Sequence, residues 1–156
     1  MSVRDEIEFR PMVMDDIAHV MAIERISFPT PWSEEIFKSD LTENANSQYI
    51  VGIINGRIVA YGGIWIFGDI GHITTIAVLP ELRGRGIGEE TLVAIMAMGR
   101  QTGVLKFTLE VRANNKLAIQ LYEKYGFKRI GIRKNYYKEE HEDAVVMWTG
   151  DPPYEG

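Results

Sequence analysis

A short turn rich in glycine and arginine is the clearest chemical signal in the sequence. It reads Arg83-Gly84-Arg85-Gly86-Ile87-Gly88 and lies between a β-rich run and an apolar stripe with helical spacing. Glycine lets the backbone approach an anion closely, and a helix N-terminus presents unpaired N–H groups with partial positive charge. The two arginines can add charge-assisted hydrogen bonds. This glycine turn predicts a phosphate or pyrophosphate site, with a plain structural turn as the alternative.

Two nucleotide-binding motifs can be compared with the glycine turn. The Walker pattern ends in Gly-Lys-Ser/Thr, whereas Gly88 is followed by Glu89 and Glu90, so the turn is not a P-loop. The dinucleotide fingerprint is G-x-G-x-x-G, and the spacing here is G-x-G-x-G. Glu110 does follow about 20 residues later, where that fold places a ribose-binding acid. The distance from the glycine turn to Glu110 therefore keeps a dinucleotide-binding turn open as an alternative.

Three polar residues after the turn are placed where they can act on one ligand. Glu110 lies inside an apolar run at residues 105–111, an unfavourable position for a carboxylate unless its face of the strand opens on a polar slot. The alternative is that the alternation of side chains along the strand points Glu110 to solvent. Asn115 and Tyr122 are seven residues apart on a predicted helix and share a face. Helix capping by Asn115 and core packing of Tyr122 are their structural alternatives.

The strand signals predict an α+β fold with a mixed sheet. Asn55-Gly56 between two β-rich runs is a strong hairpin signal, and Pro80 ends the strand that leads to the glycine turn. The predicted strands cover residues 7–12, 48–54, 57–67, 71–79, 104–111, 127–133 and 144–148.

Four helices are predicted between these strands. The first follows Asp15 and Asp16 and stops near Phe28, because Pro29 and Pro31 bias the residues before them away from helix. Ser33 opens the second. The third runs from the glycine turn to residues 101–103, and its methionines are expected in the core. The fourth covers residues 115–125, with Asn114 as the expected cap and Gly126 at its end.

Length and composition indicate one domain. The chain has 156 residues, of which 46% are hydrophobic and 25% charged, so we expect a single domain over residues 1–150 and a loose tail at residues 151–156. No run approaches the about 20 apolar residues of a membrane span, and the start does not resemble a signal peptide. A cytoplasmic protein is expected.

Charge and residue usage narrow the chemistry. There is no cysteine, and His19, His72 and His141 have no metal-ligand spacing, so neither thiolate chemistry nor a metal site is predicted. The net charge of -5 provides no overall cationic field for nucleic acid or an anionic membrane, and mildly favours a basic partner. We therefore expect neither nucleic-acid binding nor membrane association.

From Ile76 onward the sequence resembles the GNAT superfamily of acetyltransferases. The pyrophosphate turn of that family reads R/Q-x-x-G-x-G/A, as residues 83–88 do, and Ile76-Ala77-Val78 matches the strand end before it. A closer resemblance, to the RimI-type ribosomal-protein alanine N-acetyltransferases, covers nearly the whole chain. It is carried by Phe28, Pro31-Trp32-Ser33, Leu109-Glu110-Val111-Arg112, Asn114-Asn115, Ala118, Leu121-Tyr122, Gly126-Phe127, Arg133 and Asn135-Tyr136-Tyr137. The elbow from Phe28 to Trp32 is two residues longer than the family pattern, which bears on substrate choice.

The resemblance implies a fold, a co-substrate and a set of roles. The fold would be the GNAT sheet, mostly antiparallel, with a strand that splays from its neighbour to leave a slot for acetyl-CoA. Ile76, Ala77 and Val78 would bind the pantetheine arm through their backbone, Asn115 would bind its amides, and the glycine turn would hold the pyrophosphate. Glu110 matches the general base and Tyr122 the general acid.

The same resemblance implies an acceptor site for an extended N-terminal peptide. The residues expected to line it are Phe28, Trp32, His72, Tyr136 and Tyr137. Ordinary packing is the alternative for the four aromatic residues, and a structural role is the alternative for the histidine.

Acid–base chemistry agrees with an α-amine as acceptor. An α-amine has a pKa of ~8 and a lysine side chain one of ~10.4, so removing the proton at pH 7 costs about 1.4 and 4.6 kcal/mol respectively. One carboxylate suffices for the first. A tyrosine with a pKa of ~10 is protonated at pH 7 and can donate to a thiolate.

The sequence thus predicts an enzyme that acetylates the N-terminal α-amine of a protein by direct transfer in a ternary complex. A ribosomal small-subunit protein is the acceptor that the resemblance suggests. One alternative keeps the chemistry but changes the acceptor to a small amine or a lysine side chain, because one fold serves many acceptors. A second is a regulatory module that binds the coenzyme without turnover.

Overall fold

The computed structural model describes residues 6–28, 31–137 and 142–149, which fold around a seven-stranded sheet. The strands are β1 (Glu8–Pro11), β2 (Ser47–Ile54), β3 (Arg57–Phe67), β4 (Ile70–Val78), β5 (Lys106–Arg112), β6 (Phe127–Tyr137) and β7 (Glu142–Thr149). Their spatial order is β1-β2-β3-β4-β5-β7-β6, and each neighbouring pair is antiparallel except the parallel pair β4 and β5. This confirms the predicted mixed, mostly antiparallel sheet. The predicted tail at residues 151–156 lies outside the described residues.

Four α-helices accompany the sheet in the described part of the chain: α1 (Ile17–Ser27), α2 (Glu34–Glu43), α3 (Ile87–Gln101) and α4 (Lys116–Lys124). Short 3-10 turns precede α1 at Met14–Asp16 and α3 at Pro80–Leu82. None of these helices is long and apolar enough to cross a membrane.

Local signals begin and end these elements largely as the sequence predicts. The Ser33 hydroxyl accepts a hydrogen bond from the Ile36 amide at 3.3 Å and caps α2. Asn55 and Gly56 have φ of 50° and 78°, the left-handed backbone of a tight hairpin. The predicted cap of α4 is wrong: Asn115, not Asn114, accepts from the Ala118 amide, at 3.2 Å. The helix starts one residue later than expected, so the cap moves with it.

The sheet opens between β4 and β5. These strands pair at three positions, Ile70 with Lys106, Gly71 with Phe107 and His72 with Thr108, and no further pair follows. Just beyond, β4 carries a bulge: Gly63 of β3 faces Thr75 and the next residue faces Ile73, which leaves an extra residue in β4. A bulge bends its strand. The two strands therefore diverge and leave a slot, as the predicted fold requires.

Helices pack on both faces of the sheet. A Cβ at Gly62 would meet the Ile95 side chain of α3, whereas one at Gly63 would meet Tyr49, beside which Phe37 of α2 packs. Since successive strand residues point to opposite faces, α3 covers one face and α2 the other. Met96 of α3 is 2% exposed, which confirms that this methionine belongs to the core.

Candidate active site

Two cavities lie where β4 and β5 diverge. One, of about 460 Å³, extends over the glycine turn, and we call it the turn cavity. The other, of about 420 Å³, lies between the pair Phe28 and Trp32 and the ends of β5 and β6, and we call it the slot cavity. Phe28, Ile76, Asn115 and Tyr122 line both. A ligand in one cavity can therefore contact a ligand in the other through the slot.

The turn cavity collects most of the residues predicted to bind the coenzyme. Those that line it are Ile76, Ala77, Val78, Arg83, Gly84, Ile87, Gly88 and Asn115. Gly86 is not part of the lining but is the N-cap of α3, with φ of 83°, and Gly84 has φ of 79°. These two glycines shape the turn, because other residues adopt such φ values at a cost. Arg85 is exposed and does not line the cavity.

The N-terminus of α3 can bind an anion. Gly86 is the N-cap of α3 and has no side chain that could cap the helix, and the first N–H groups of a helix have no partner within the helix itself. The helix dipole adds partial positive charge at this end. The backbone at the turn cavity is therefore suited to a phosphate group.

Arg83 holds the turn to its surroundings. Its Nε donates to the Val78 carbonyl at 3.0 Å, and its Nη2 donates to the Ser27 hydroxyl at 3.0 Å. The sequence predicted that this side chain can add hydrogen bonds to an anion, and the structure shows that two of its donors are engaged by the protein itself. Arg83 thus connects the end of β4, the glycine turn and the last residue of α1.

Glu110 faces the slot cavity. Its side chain is 11% exposed, so the solvent-facing alternative is wrong. Its Oε1 lies 3.3 Å from Nε of Arg133, and the Tyr136 hydroxyl also bonds to Glu110. That hydrogen bond, followed by burial, raises the pKa of Tyr136 to about 12. The carboxylate is therefore held by partners from β6 at the edge of the slot.

Tyr122 lies at the junction of the two cavities. It projects from α4 and packs against Phe127 with ring centroids 5.8 Å apart. Burial, and secondarily the nearby Tyr137, raise the pKa of Tyr122 to about 12. A phenol in this position keeps its proton throughout the neutral range and can donate it to a group in the slot.

The predicted acceptor residues all line the slot cavity: Phe28, Trp32, His72, Tyr136 and Tyr137. Two of them, Tyr136 and Tyr137, pack edge to face with centroids 5.1 Å apart, and the Arg112 guanidinium lies 4.0 Å from the ring centroid of Tyr137. Burial is the main factor that lowers the pKa of His72, against the opposing effect of Glu110. The imidazole is accordingly neutral at pH 7.

Sequence reasoning missed one functional candidate, Glu24. It lies on α1, is 4% exposed and lines the slot cavity. A signal was available: Ile17, Val20, Met21 and Glu24 share one face of the helix, so the carboxylate falls on the core-facing stripe.

The combination of groups fits transfer of a group from an anionic carrier. The turn cavity offers backbone donors for phosphate, and the adjoining slot holds a carboxylate and a protonated phenol within one small space. Among residues 6–28, 31–137 and 142–149, no three His, Cys, Asp or Glu side chains are grouped to hold a metal ion.

Comparison with known proteins agrees with this chemistry. The acetyltransferase (GNAT) family matches residues 17–127. A Bacillus subtilis (strain 168) protein, provisionally assigned as a [ribosomal protein bS18]-alanine N-acetyltransferase, is 41% identical over 90% of this chain and 93% of its own. The [ribosomal protein bS18]-alanine N-acetyltransferase of Escherichia coli (strain K12) is 34% identical over 85% of this chain and 89% of its own.

The fold agrees as well. The crystal structure of the ribosomal-protein-S18-alanine N-acetyltransferase from Escherichia coli superposes with a TM-score of 0.84 at 29% identity, and covers 96% of this chain and 99% of that chain.

Proposed function

This chain belongs to the acetyltransferase (GNAT) family and is an N-acetyltransferase, and we propose that it transfers the acetyl group of acetyl-CoA to the N-terminal α-amine of a protein. One observation carries the proposal: the turn cavity and the slot cavity meet at Phe28, Ile76, Asn115 and Tyr122. Donor and acceptor can therefore bind from two sides and react directly, without an acetylated enzyme.

The turn cavity fits acetyl-CoA. The N–H groups at the start of α3 would bind the pyrophosphate. Beyond His72, β4 forms no pair with β5 in the described part of the chain, so Ile76 to Val78 would present backbone groups to the amides of the pantetheine arm. Asn115 uses its Oδ1 as the cap of α4 and can donate from its amide nitrogen to the same arm.

Glu110 and Tyr122 would handle the protons of the transfer. The α-amine attacks the thioester carbonyl, a C–N bond forms, and the nitrogen becomes positively charged. Glu110 accepts the proton that the nitrogen must lose, directly or through water. The C–S bond then breaks, and the Tyr122 hydroxyl donates a proton to the departing thiolate.

The names of two relatives support a choice of acceptor. Two relatives that align with more than four-fifths of this chain are named as alanine N-acetyltransferases of ribosomal protein bS18, one of them provisionally. We propose the same acceptor class here, an N-terminal alanine of a ribosomal small-subunit protein. Tyr136 and Tyr137 pack together in the lining of the slot cavity, and this aromatic surface is an argument for an extended peptide as the acceptor. Such a reaction belongs in the cytoplasm, which also fits a chain without cysteine.

Thiol release from acetyl-CoA tests the proposal. Three classes of acceptor are compared: peptides with a free N-terminal alanine, N-terminally blocked peptides that carry lysine, and small amines. We expect turnover with the first class only. Turnover confined to lysine peptides or small amines would move the enzyme to the alternative acceptor class. Tight coenzyme binding with no turnover would indicate a regulatory module.

Two variants test the proton carriers. Glu110→Gln should lower kcat by a factor of ~10²–10⁴ while coenzyme affinity is retained, and Tyr122→Phe should act in the same direction. Glu123→Gln is the matched control for the first, because Glu123 pairs with Arg129 on the surface at 3.5 Å. Full activity of Glu110→Gln at pH 7 would refute its assignment as the base.

A further inference from the structure

Glu24 is a buried carboxylate in the slot cavity that the reaction above does not use. It is 4% exposed, on a helix whose other buried residues are apolar. Its Oε2 accepts a hydrogen bond from the Trp32 amide at 2.9 Å, and its Oε1 accepts one from the Tyr61 hydroxyl. The carboxylate is thus held in one orientation between Trp32 and β3, at the wall of the cavity.

Glu24 differs from Glu110 in one respect. Glu110 forms an ion pair with Arg133, with 3.3 Å between Oε1 and Nε. Within the described residues, Glu24 has the two hydrogen bonds given above and no cation. A buried carboxylate is stable when its charge is compensated, and two hydrogen bonds compensate it only in part.

The negative charge of Glu24 acts on its surroundings. After burial, it is the main cause that raises the pKa of Tyr61, to which it is bonded, and it adds to the effects of burial and of Asp40 that raise the pKa of Tyr49. Both phenols are buried, and neither is a cation at any pH. Since no cation among the described residues pairs with Glu24, a cation that enters the slot cavity can supply the balancing charge.

We propose that Glu24 binds the positively charged α-ammonium group of the acceptor in the slot cavity. This inference rests on the proposed function, because the acceptor must be an N-terminal amine. An α-amine with a pKa of ~8 is mostly protonated at pH 7, so the acceptor enters as a cation. The carboxylate meets that charge. The bound ammonium loses one proton to solvent water before it attacks, and Glu110, already paired with Arg133, accepts the second proton, which the nitrogen loses after the attack.

The same contact favours binding of the acceptor and release of the product. The nitrogen regains positive charge when it attacks the thioester carbonyl, so Glu24 stabilises that stage as well as the bound acceptor. The product is a neutral amide and makes no such ion pair. Glu24 therefore distinguishes a free N-terminus from an acetylated one.

The test measures peptide binding in the presence of CoA without an acetyl group, so that no turnover occurs. The probes are a short peptide that begins with alanine and its desamino analogue, in which hydrogen replaces the N-terminal amine. Wild-type protein should prefer the amine peptide. Glu24→Gln, which keeps the size and can still bond to Trp32 and Tyr61, should reduce that preference by about tenfold or more.

Glu110→Gln is the matched control, because it removes the other carboxylate of the same cavity. It should lower turnover while it largely retains the preference for the amine peptide. If Glu24→Gln weakens the binding of both peptides equally, the proposal is overturned, since Glu24 would then only hold Trp32 in place. Equal affinity of wild-type protein for the two peptides would also overturn it, and this needs no variant that might misfold.

Turnover of the alanine peptide by wild-type protein is measured separately. If turnover is normal while the amine preference is absent, the role of Glu24 fails and the proposed function stands. If there is no turnover of any free N-terminus, the proposed function itself fails.

Discussion

Alanine substitutions at Gly86 and Gly88 should separate two uses of glycine in the glycine turn. Gly86 has φ of 83° and ψ of 5°, a left-handed conformation that places a Cβ close to the backbone. Gly88 is the second residue of α3, and the nearest atom to a Cβ built there is Val78 Cγ2 at 3.9 Å, an ordinary contact. The first glycine is required by backbone conformation, and the second is not.

The expected energies follow from these geometries. Gly86→Ala should lower the free energy of unfolding by about 1–2 kcal/mol, the cost of a left-handed conformation for a residue with a Cβ. Gly88→Ala should leave it unchanged or raise it by up to about 1 kcal/mol, because alanine is the better helix former. The two variants therefore differ in sign or at least clearly in size.

Urea unfolding of the two variants, without and with CoA, measures both quantities. The curve without ligand gives the free energy of unfolding, and the stabilisation by CoA reports its affinity. If Gly86→Ala is as stable as wild-type protein and binds CoA with the same affinity, the argument from φ is refuted. If Gly88→Ala lowers the free energy of unfolding as much as Gly86→Ala does, the argument from the open space around a Cβ at residue 88 is refuted.

Two further predictions concern pH and stability. Burial lowers the pKa of His72, so below about pH 6.5 the unfolded chain binds more protons than the folded one, and the wild-type protein loses stability as the pH falls. His72→Gln should flatten the dependence of the melting temperature on pH in thermal melts from pH 5 to 7. An unchanged slope of melting temperature against pH would contradict this prediction. Asp16 bonds to Arg10 at 2.7 and 2.9 Å and to the Val13 amide at 2.8 Å, and its pKa is lowered chiefly by Arg10. Asp16→Asn should therefore cost about 1–2 kcal/mol at pH 7. This difference from wild-type protein shrinks as the pH falls below about 4, because the aspartate of the unfolded chain then binds a proton that the folded protein does not yet bind. Urea unfolding at pH 7 and pH 3 checks this.

Short-range signals in the sequence were sufficient to place most elements. Asn55-Gly56 predicts the hairpin between β2 and β3, and Ser33 predicts the start of α2, because turn and cap geometry depend on a few neighbouring residues. The same holds for the glycine turn, where backbone conformation and helix start are read from adjacent positions. Asn114 and Asn115 show the limit of such short-range signals. Both side chains can cap a helix equally well, so the sequence does not state which of them precedes the first residue of α4.

The family and its chemistry were also recognisable from the sequence, because the residues that resemble the family keep their order and spacing along the chain. Spacing placed Asn115 and Tyr122 on one helix face, and both line the turn cavity and the slot cavity. For Glu110 the sequence left two orientations open, and the tertiary structure decided between them by setting Arg133 and Tyr136 of β6 beside it.

Contacts between distant parts of the chain could not be read from the sequence. The opening between β4 and β5 depends on which residues pair across two strands, and a pattern of apolar residues does not state that register. Arg83 binds Ser27, 56 positions away, and Glu24 binds Tyr61, 37 positions away. The sequence determined which side chains can donate, accept or carry charge; only the packing of helices on the sheet decided which of them are buried together.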